Sequence, residues 1–214
     1  MRRWALGIGL LGLFGLIAIV STGVVAMAAD NPSQSEMSYR SGKAIADDEK
    51  EARQHYRRGI DSARGVLAST PDAPAALLWL AANLAGEALT HGRMFALRVI
   101  PEIESSLLRL ELVHPLFDHA AAARALANLY AKAPALISVG SSKKAATYFS
   151  LALQRAPQFP GNQAMAAAFF AAQGDCGRAR ALAAAVSART DLDTFGPDAI
   201  EWRQLARAAL RTCK

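Results

Sequence analysis

A pattern of glycine, alanine and aromatic residues occurs twice in the C-terminal half of the chain, at the spacing that closely packed helix pairs require. Each set begins at a turn glycine and continues with small or aromatic residues at helical spacing. The two sets are Gly140, Ala145, Phe149, Ala152 and Pro157, and Gly174, Asp175, Ala179, Ala183 and Val186. Alanine lets two helices approach closely, so the pattern predicts stacked helical hairpins. Such stacks provide surfaces for binding rather than catalytic centres.

The rest of the sequence continues the helical pattern. Apolar residues recur every three or four positions, and no run alternates between apolar and polar residues as a half-buried β-strand would. Glycines, prolines and short polar segments separate these periodic runs. The predicted helices cover 47–68, 74–89, 94–112, 115–131, 142–155, 161–172, 175–188 and 197–212.

Three of these helices have features that bear on the architecture. Gly59, Ala63, Val66 and Pro71 have the same spacing as Ala145, Phe149, Ala152 and Pro157. We therefore interpret 47–68 as the second half of an incomplete first hairpin. Pro101 removes a backbone donor from the third helix and predicts a kink or a restart there. The last helix has an apolar face suited to covering the end of the stack: Ile200, Trp202, Leu205 and Ala209. We therefore predict an all-α solenoid of about seven to eight antiparallel helices with a C-terminal capping helix.

The N-terminal segment has the features of an export signal. Arg2 and Arg3 precede an uncharged, largely apolar run over 4–25, and the small residues Ala26 and Ala28 follow it. The run is long enough to cross a bilayer, so 1–28 is either a cleaved signal peptide or a retained signal-anchor helix. We expect a flexible lead-in over 29–46 and a helical domain over 47–214, located in the periplasm. Contact with the membrane is expected only through 4–25.

The charge of the chain does not indicate a nucleic-acid-binding protein. Removing Arg2 and Arg3 lowers the 24 basic residues to 22 against 18 acidic ones, which leaves a net charge of +4. The remaining basic residues are spread over several predicted helices instead of clustering with aromatic residues on one face. We therefore expect no nucleic-acid partner.

The two cysteines favour a disulfide bond. Export places them in an oxidising compartment, where cysteine pairs commonly form disulfides. Cys176 lies near the start of one predicted helix and Cys213 at the end of the last one. If these helices are antiparallel neighbours, the two cysteines meet. The alternative is two independent thiols.

No pattern of residues predicts catalysis or metal binding. The four histidines are dispersed, whereas a zinc site needs three or four converging ligands. Glu102 and Glu104 are two positions apart on a helix and do not share a face. The chain also lacks the glycine-rich and nucleophile motifs of common enzymes. We expect no cofactor, no metal and no enzymatic activity.

The fourth and fifth predicted helices and the loop between them resemble a family of exported repeat proteins. The resemblance rests on Ala123–Pro134, the loop Ile137–Ser141 and the helix Lys143–Pro157. These segments resemble tetratricopeptide-repeat (TPR) proteins, among them the T component associated with tripartite ATP-independent periplasmic (TRAP) transporters. The resemblance covers roughly residues 74–190. It implies a TPR-like α-solenoid in the periplasm that is not an enzyme and binds a partner protein, such as a periplasmic solute-binding protein.

Two functions are compatible with this sequence. The first is a scaffold or adaptor that binds a partner protein in the groove of the helical array. The second is an accessory subunit of an integral membrane complex, with the N-terminal helix in the bilayer and the repeats capping the complex. The side chains expected to face a groove are Trp79, Asn83, Arg124 and Tyr130.

Overall fold

The computed structural model describes residues 33–214, and this part of the chain is helical. It contains nine α-helices, a short 3-10 helix at Leu192–Phe195, and no β-strand among the described residues, which confirms the predicted all-α fold. The predicted signal or anchor helix lies outside the described residues. The helices are α1 Gln34–Ala44, α2 Glu49–Ser69, α3 Pro74–His91, α4 Arg93–Val113, α5 Phe117–Lys132, α6 Ser142–Arg155, α7 Pro160–Ala172, α8 Cys176–Ser187 and α9 Asp198–Thr212.

Helix α1 occupies most of the segment for which the sequence predicted a flexible lead-in. The predicted range 29–46 needs correction over Gln34–Ala44, and 29–32 lie outside the described residues. Ser33 begins the helix, because its hydroxyl accepts a hydrogen bond from the Glu36 N–H at 3.1 Å. The buried face of α1 consists of small residues, Ser35, Ser38 and Gly42. The described helical domain therefore begins before residue 47.

The helices form four successive hairpins and a final cap. The hairpins are α1/α2, α3/α4, α5/α6 and α7/α8, and α9 packs on both α7 and α8. Helix α1 thus completes the hairpin that the sequence left incomplete. The odd-numbered helices pack on one another, α1 on α3, α3 on α5, α5 on α7 and α7 on α9.

The even-numbered helices are further apart and meet chiefly through long side chains. Arg64 of α2 binds Glu102 of α4 with Nη2–Oε1 at 2.8 Å, and Arg155 of α6 binds Glu111 of α4. The array is therefore curved, with the odd-numbered helices as its inner layer and the even-numbered helices as its outer layer.

The alanine and phenylalanine positions of the predicted repeats lie in the core. Ala145, Phe149, Ala152, Ala179 and Ala183 are buried, which lets α6 and α8 approach their neighbours closely. Gly174 adopts φ +78° in the turn before α8, a conformation that favours glycine. Pro157 is exposed just after the end of α6.

Helix α4 does not restart at Pro101. It runs from Arg93 to Val113 with this proline inside it. Pro101 lies on the exposed side of the helix, where water can bind the carbonyl group left without its usual donor.

A disulfide bond attaches the cap to the last hairpin. Cys176, the first residue of α8, is joined to Cys213, which follows α9, with their Cα atoms 5.2 Å apart. Arg180 of α8 also donates a hydrogen bond to the Cys213 carbonyl at 3.1 Å. The predicted cysteine pair is thus present at the antiparallel contact of α8 and α9.

Candidate binding surface

The inner layer presents a small aromatic platform where α1 meets α3. The Tyr39 and Trp79 rings are tilted against each other with centroids 5.5 Å apart, and both side chains are partly buried. The Arg40 guanidinium lies 5.8 Å from the centre of the Trp79 ring, within reach of a cation–π interaction. Two amphipathic rings and a cation are side chains that protein interfaces commonly use.

Asn83 lies beneath this platform instead of lining the groove. Its side chain is fully buried, and its amide donates to the Ser35 carbonyl at 3.0 Å and to the Trp79 carbonyl at 2.7 Å. Gly59 of α2 lies directly against the Asn83 carboxamide. Asn83 therefore holds α1, α2 and α3 together and is not available to a ligand.

Arg124 stabilises an unusual turn at the start of α5. Residues 118–120 have φ between +43° and +62°, a left-handed conformation that costs non-glycine residues roughly 1–2 kcal/mol each. Arg124 Nη1 donates to the His119 carbonyl at 3.3 Å and to Asn162 Oδ1 at 2.9 Å. Burial lowers the pKa of the guanidinium, while the nearby Asp118 carboxylate opposes this shift. With only 13% of its side chain exposed, Arg124 mainly connects α5 to α7.

Tyr130 is also committed to internal contacts. It is 3% exposed, and its hydroxyl donates to Glu104 Oε1 of α4 at 2.8 Å. Burial, reinforced by the Glu104 carboxylate, raises the pKa of Tyr130. Lys144 Nζ lies 4.7 Å from the centre of its ring. Tyr130 thus links the second hairpin to the third.

The structure therefore does not bring the four predicted groove residues together on one accessible surface. Asn83 and Tyr130 are buried and Arg124 is held by internal contacts, which leaves Trp79 partly exposed beside Arg40. Three residues of the inner layer were missed by sequence reasoning: Tyr39, Arg40 and Lys43 of α1. Their helix could have been found from Ser33 and Glu36, whose three-residue spacing is typical of a helix N-terminus.

Charged residues of α9 complete this surface. Lys43 Nζ lies 2.7 Å from Glu201 Oε2 and 3.3 Å from Asp198 Oδ1. All three side chains are between one third and one half exposed, so they are accessible to solvent and to a partner. The candidate surface consists of Tyr39, Arg40, Lys43, Trp79, Asp198 and Glu201.

Within residues 33–214, no group of three or more histidine, cysteine, aspartate or glutamate side chains is placed to hold a metal ion. None of the helices in this same range has the length and apolar character needed to cross a bilayer. The apolar run over 4–25 lies outside the described residues.

Comparison with known proteins identifies the fold. No protein-family model and no curated protein matches the chain. The crystal structure of a thermophilic TPR protein from Thermus thermophilus is similar, with a TM-score of 0.53 and 16% sequence identity over 83% of this chain and 99% of that one. At this identity the similarity concerns the fold, and it confirms the predicted TPR-like architecture. The resemblance to the TRAP T component remains a prediction.

Proposed function

We propose that this protein is a non-catalytic adaptor that binds a segment of a partner protein on the inner layer of its helical array. The observation that supports this proposal most directly is the partly exposed Tyr39–Trp79 pair, with Arg40 beside it. Trp, Tyr and Arg are the residues in which protein interfaces concentrate their binding energy. Their position on the inner face of a curved repeat array suits an extended segment of another chain.

We further propose that the adaptor works in the periplasm with a solute-binding protein of the TRAP type. The support is the N-terminal sequence, with Arg2 and Arg3 before the apolar run, and the resemblance of residues 74–190 to the T component. The disulfide agrees with this compartment, because such bonds persist in oxidising surroundings. Intact mass of the purified protein tests export: a chain beginning near Ala29 supports a cleaved signal, and one retaining residues 1–28 supports the membrane-anchored accessory subunit.

Partner capture with matched variants tests the adaptor function. Arg40→Ala removes a cation from the inner layer. Arg58→Ala removes an exposed one from the outer helix α2, where Arg58 donates a hydrogen bond to the Gln54 carbonyl of its own helix. We expect tagged wild-type protein and Arg58→Ala to retain the same periplasmic partner. Arg40→Ala and Trp79→Ala should each weaken its retention by about tenfold. Circular dichroism checks that all variants are folded.

Two results would contradict the adaptor function. One is equal retention of the partner by all four proteins, which would place the binding surface elsewhere. The other is a folded protein that retains no partner and turns over a substrate.

A further inference from the structure

The first and last α-helices of the described domain are linked across the inner layer by ion pairs. Lys43 of α1 contacts both Asp198 and Glu201 of α9, at 3.3 and 2.7 Å. Arg40 Nη1 lies 3.6 Å from Asp198 Oδ2. Asp198 and Glu201 follow Lys43 in the chain by 155 and 158 positions. These contacts therefore join the two ends of the array.

This junction is unlike the junctions between neighbouring hairpins. The main apolar cluster includes Trp202 and Ala206 of α9 but takes no residue from α1. Consecutive hairpins, in contrast, share buried side chains of that cluster along the array. Exposed ion pairs are individually weak and are screened by salt, so the contact between α1 and α9 is sensitive to ionic strength in a way that the core is not.

Each of the two helices is fixed to its own end of the array by other contacts. For α1, the Ser35 hydroxyl donates to the Gly59 carbonyl at 2.8 Å, and Asn83 donates to the Ser35 carbonyl. For α9, the Cys176–Cys213 disulfide holds the helix to α8. Loss of the ion pairs therefore leaves both helices folded and attached, and changes only the distance between the ends.

We propose that Arg40, Lys43, Asp198 and Glu201 form an electrostatic latch that closes the curved array, and that release of the latch opens its inner layer. Apart from the contact between α1 and α9, the hairpins described above pack on their immediate neighbours, so small rotations at successive junctions add to a large displacement of the ends. A partner with its own charged groups, or a rise in ionic strength, competes for the same four side chains. The role of the latch in controlling access to a binding surface rests on the adaptor function proposed above. The existence of the latch does not depend on that function.

The distance between spin labels on α1 and α9 tests the latch. Labels attached through unnatural amino acids at the exposed positions Ser41 and Gln204 leave the disulfide intact. At low ionic strength the protein should give one narrow, short distance distribution. In about 1 M salt, where charges are screened beyond about 3 Å, the distribution should broaden and move to longer distances. This comparison requires no substitution in the latch.

Charge reversal assigns the effect to these residues. Lys43→Glu should lengthen the distance at low salt. Adding Glu201→Lys should shorten it again in part, because the 2.7 Å pair is re-formed with reversed charges while the carboxylate at position 43 still faces Asp198. Arg178→Glu is the matched control, since it breaks the exposed Arg178–Asp175 pair, which lies within a single hairpin. The latch is refuted by a distance insensitive to salt and to Lys43→Glu, by a double variant whose distance is no shorter than that of Lys43→Glu, or by equal lengthening in Arg178→Glu.

Discussion

The Asn83 carboxamide lies directly against the backbone of Gly59, in the space that a Cβ at residue 59 would occupy. Because Asn83 is fully buried and donates to Ser35 and Trp79, it cannot move aside without losing those hydrogen bonds. This contact between α2 and α3 therefore requires glycine. Asn83 also fixes α1 through its hydrogen bond to Ser35, and α1 carries Tyr39 of the aromatic platform.

Alanine substitution at two glycines of α2 tests this contact. Gly59→Ala should destabilise the protein by about 1–3 kcal/mol, because the new methyl group overlaps the Asn83 side chain. Gly65→Ala is the control, since a Cβ there meets nothing within 4 Å and alanine favours the helix. It should stabilise the protein by about 0.5–1 kcal/mol. Urea unfolding measures both changes, and unchanged stability of Gly59→Ala would contradict the close packing of Asn83 on Gly59.

Removal of the disulfide should weaken the attachment of the cap. Cys176 and Cys213 are 37 positions apart, and closing a loop of this length contributes about 3–4 kcal/mol in the chain-entropy model. The Cys176→Ser/Cys213→Ser double variant should lose about that much free energy of unfolding. Wild-type protein under reducing conditions provides the matched comparison. Equal stability of the oxidised, reduced and substituted proteins would show that the bond does not restrain α9.

The tyrosines predict a loss of stability at alkaline pH. The pKa values of four tyrosines are raised above the ordinary value near 10, and burial is the largest cause in each: Tyr39, Tyr56, Tyr130 and Tyr148. A raised pKa in the folded state gives a contribution to stability that is complete below pH of about 10 and is lost as the pH rises towards the folded-state values. Ultraviolet titration should show tyrosinate forming at higher pH in native protein than in urea. Coincident titration curves would contradict the burial of these side chains.

The hydroxyl of Tyr130 should be required for the contact between the second and third hairpins. Tyr130→Phe removes the donor to Glu104 and leaves that carboxylate without this partner. Hydrogen bonds to charged groups contribute about 1.5–3 kcal/mol, and the partial exposure of Glu104 places the expected loss near the lower value. Urea unfolding at neutral pH measures it. Glu104→Gln retains an acceptor for the Tyr130 hydroxyl but removes the charge that faces Lys144 at 3.8 Å. Unchanged stability of Tyr130→Phe would contradict the assigned hydrogen bond.

Much of the fold could be predicted from the sequence because alanine spacing and helix ends are local signals. Helix α6 has the predicted bounds, and Cys176 pairs with Cys213 as expected. Helix α1 was missed because its buried face consists of Ser35, Ser38 and Gly42, which give no apolar periodicity. Its packing depends on hydrogen bonds and close approach, which the sequence alone does not display.

The candidate surface was harder to predict than the fold. Helix α3 is apolar over most of its surface, so the sequence does not indicate which of its faces meets α1. Asn83 was expected in the groove but lies in that contact. Val66 follows Gly59 at the spacing at which the buried Ala152 follows Ala145, yet Val66 is 45% exposed. The meeting of Lys43 with Glu201 depends on the curvature of the whole array, which no local pattern specifies.

Hydrogen exchange of the full chain, measured alone and with its captured partner, tests most directly whether the inner layer is the binding surface. The partner should slow exchange in α1 and α3, around Tyr39 and Trp79, while α2 and α4 exchange as in the free protein. Slowed exchange confined to the outer helices α2 and α4, with α1 and α3 unchanged, would contradict it.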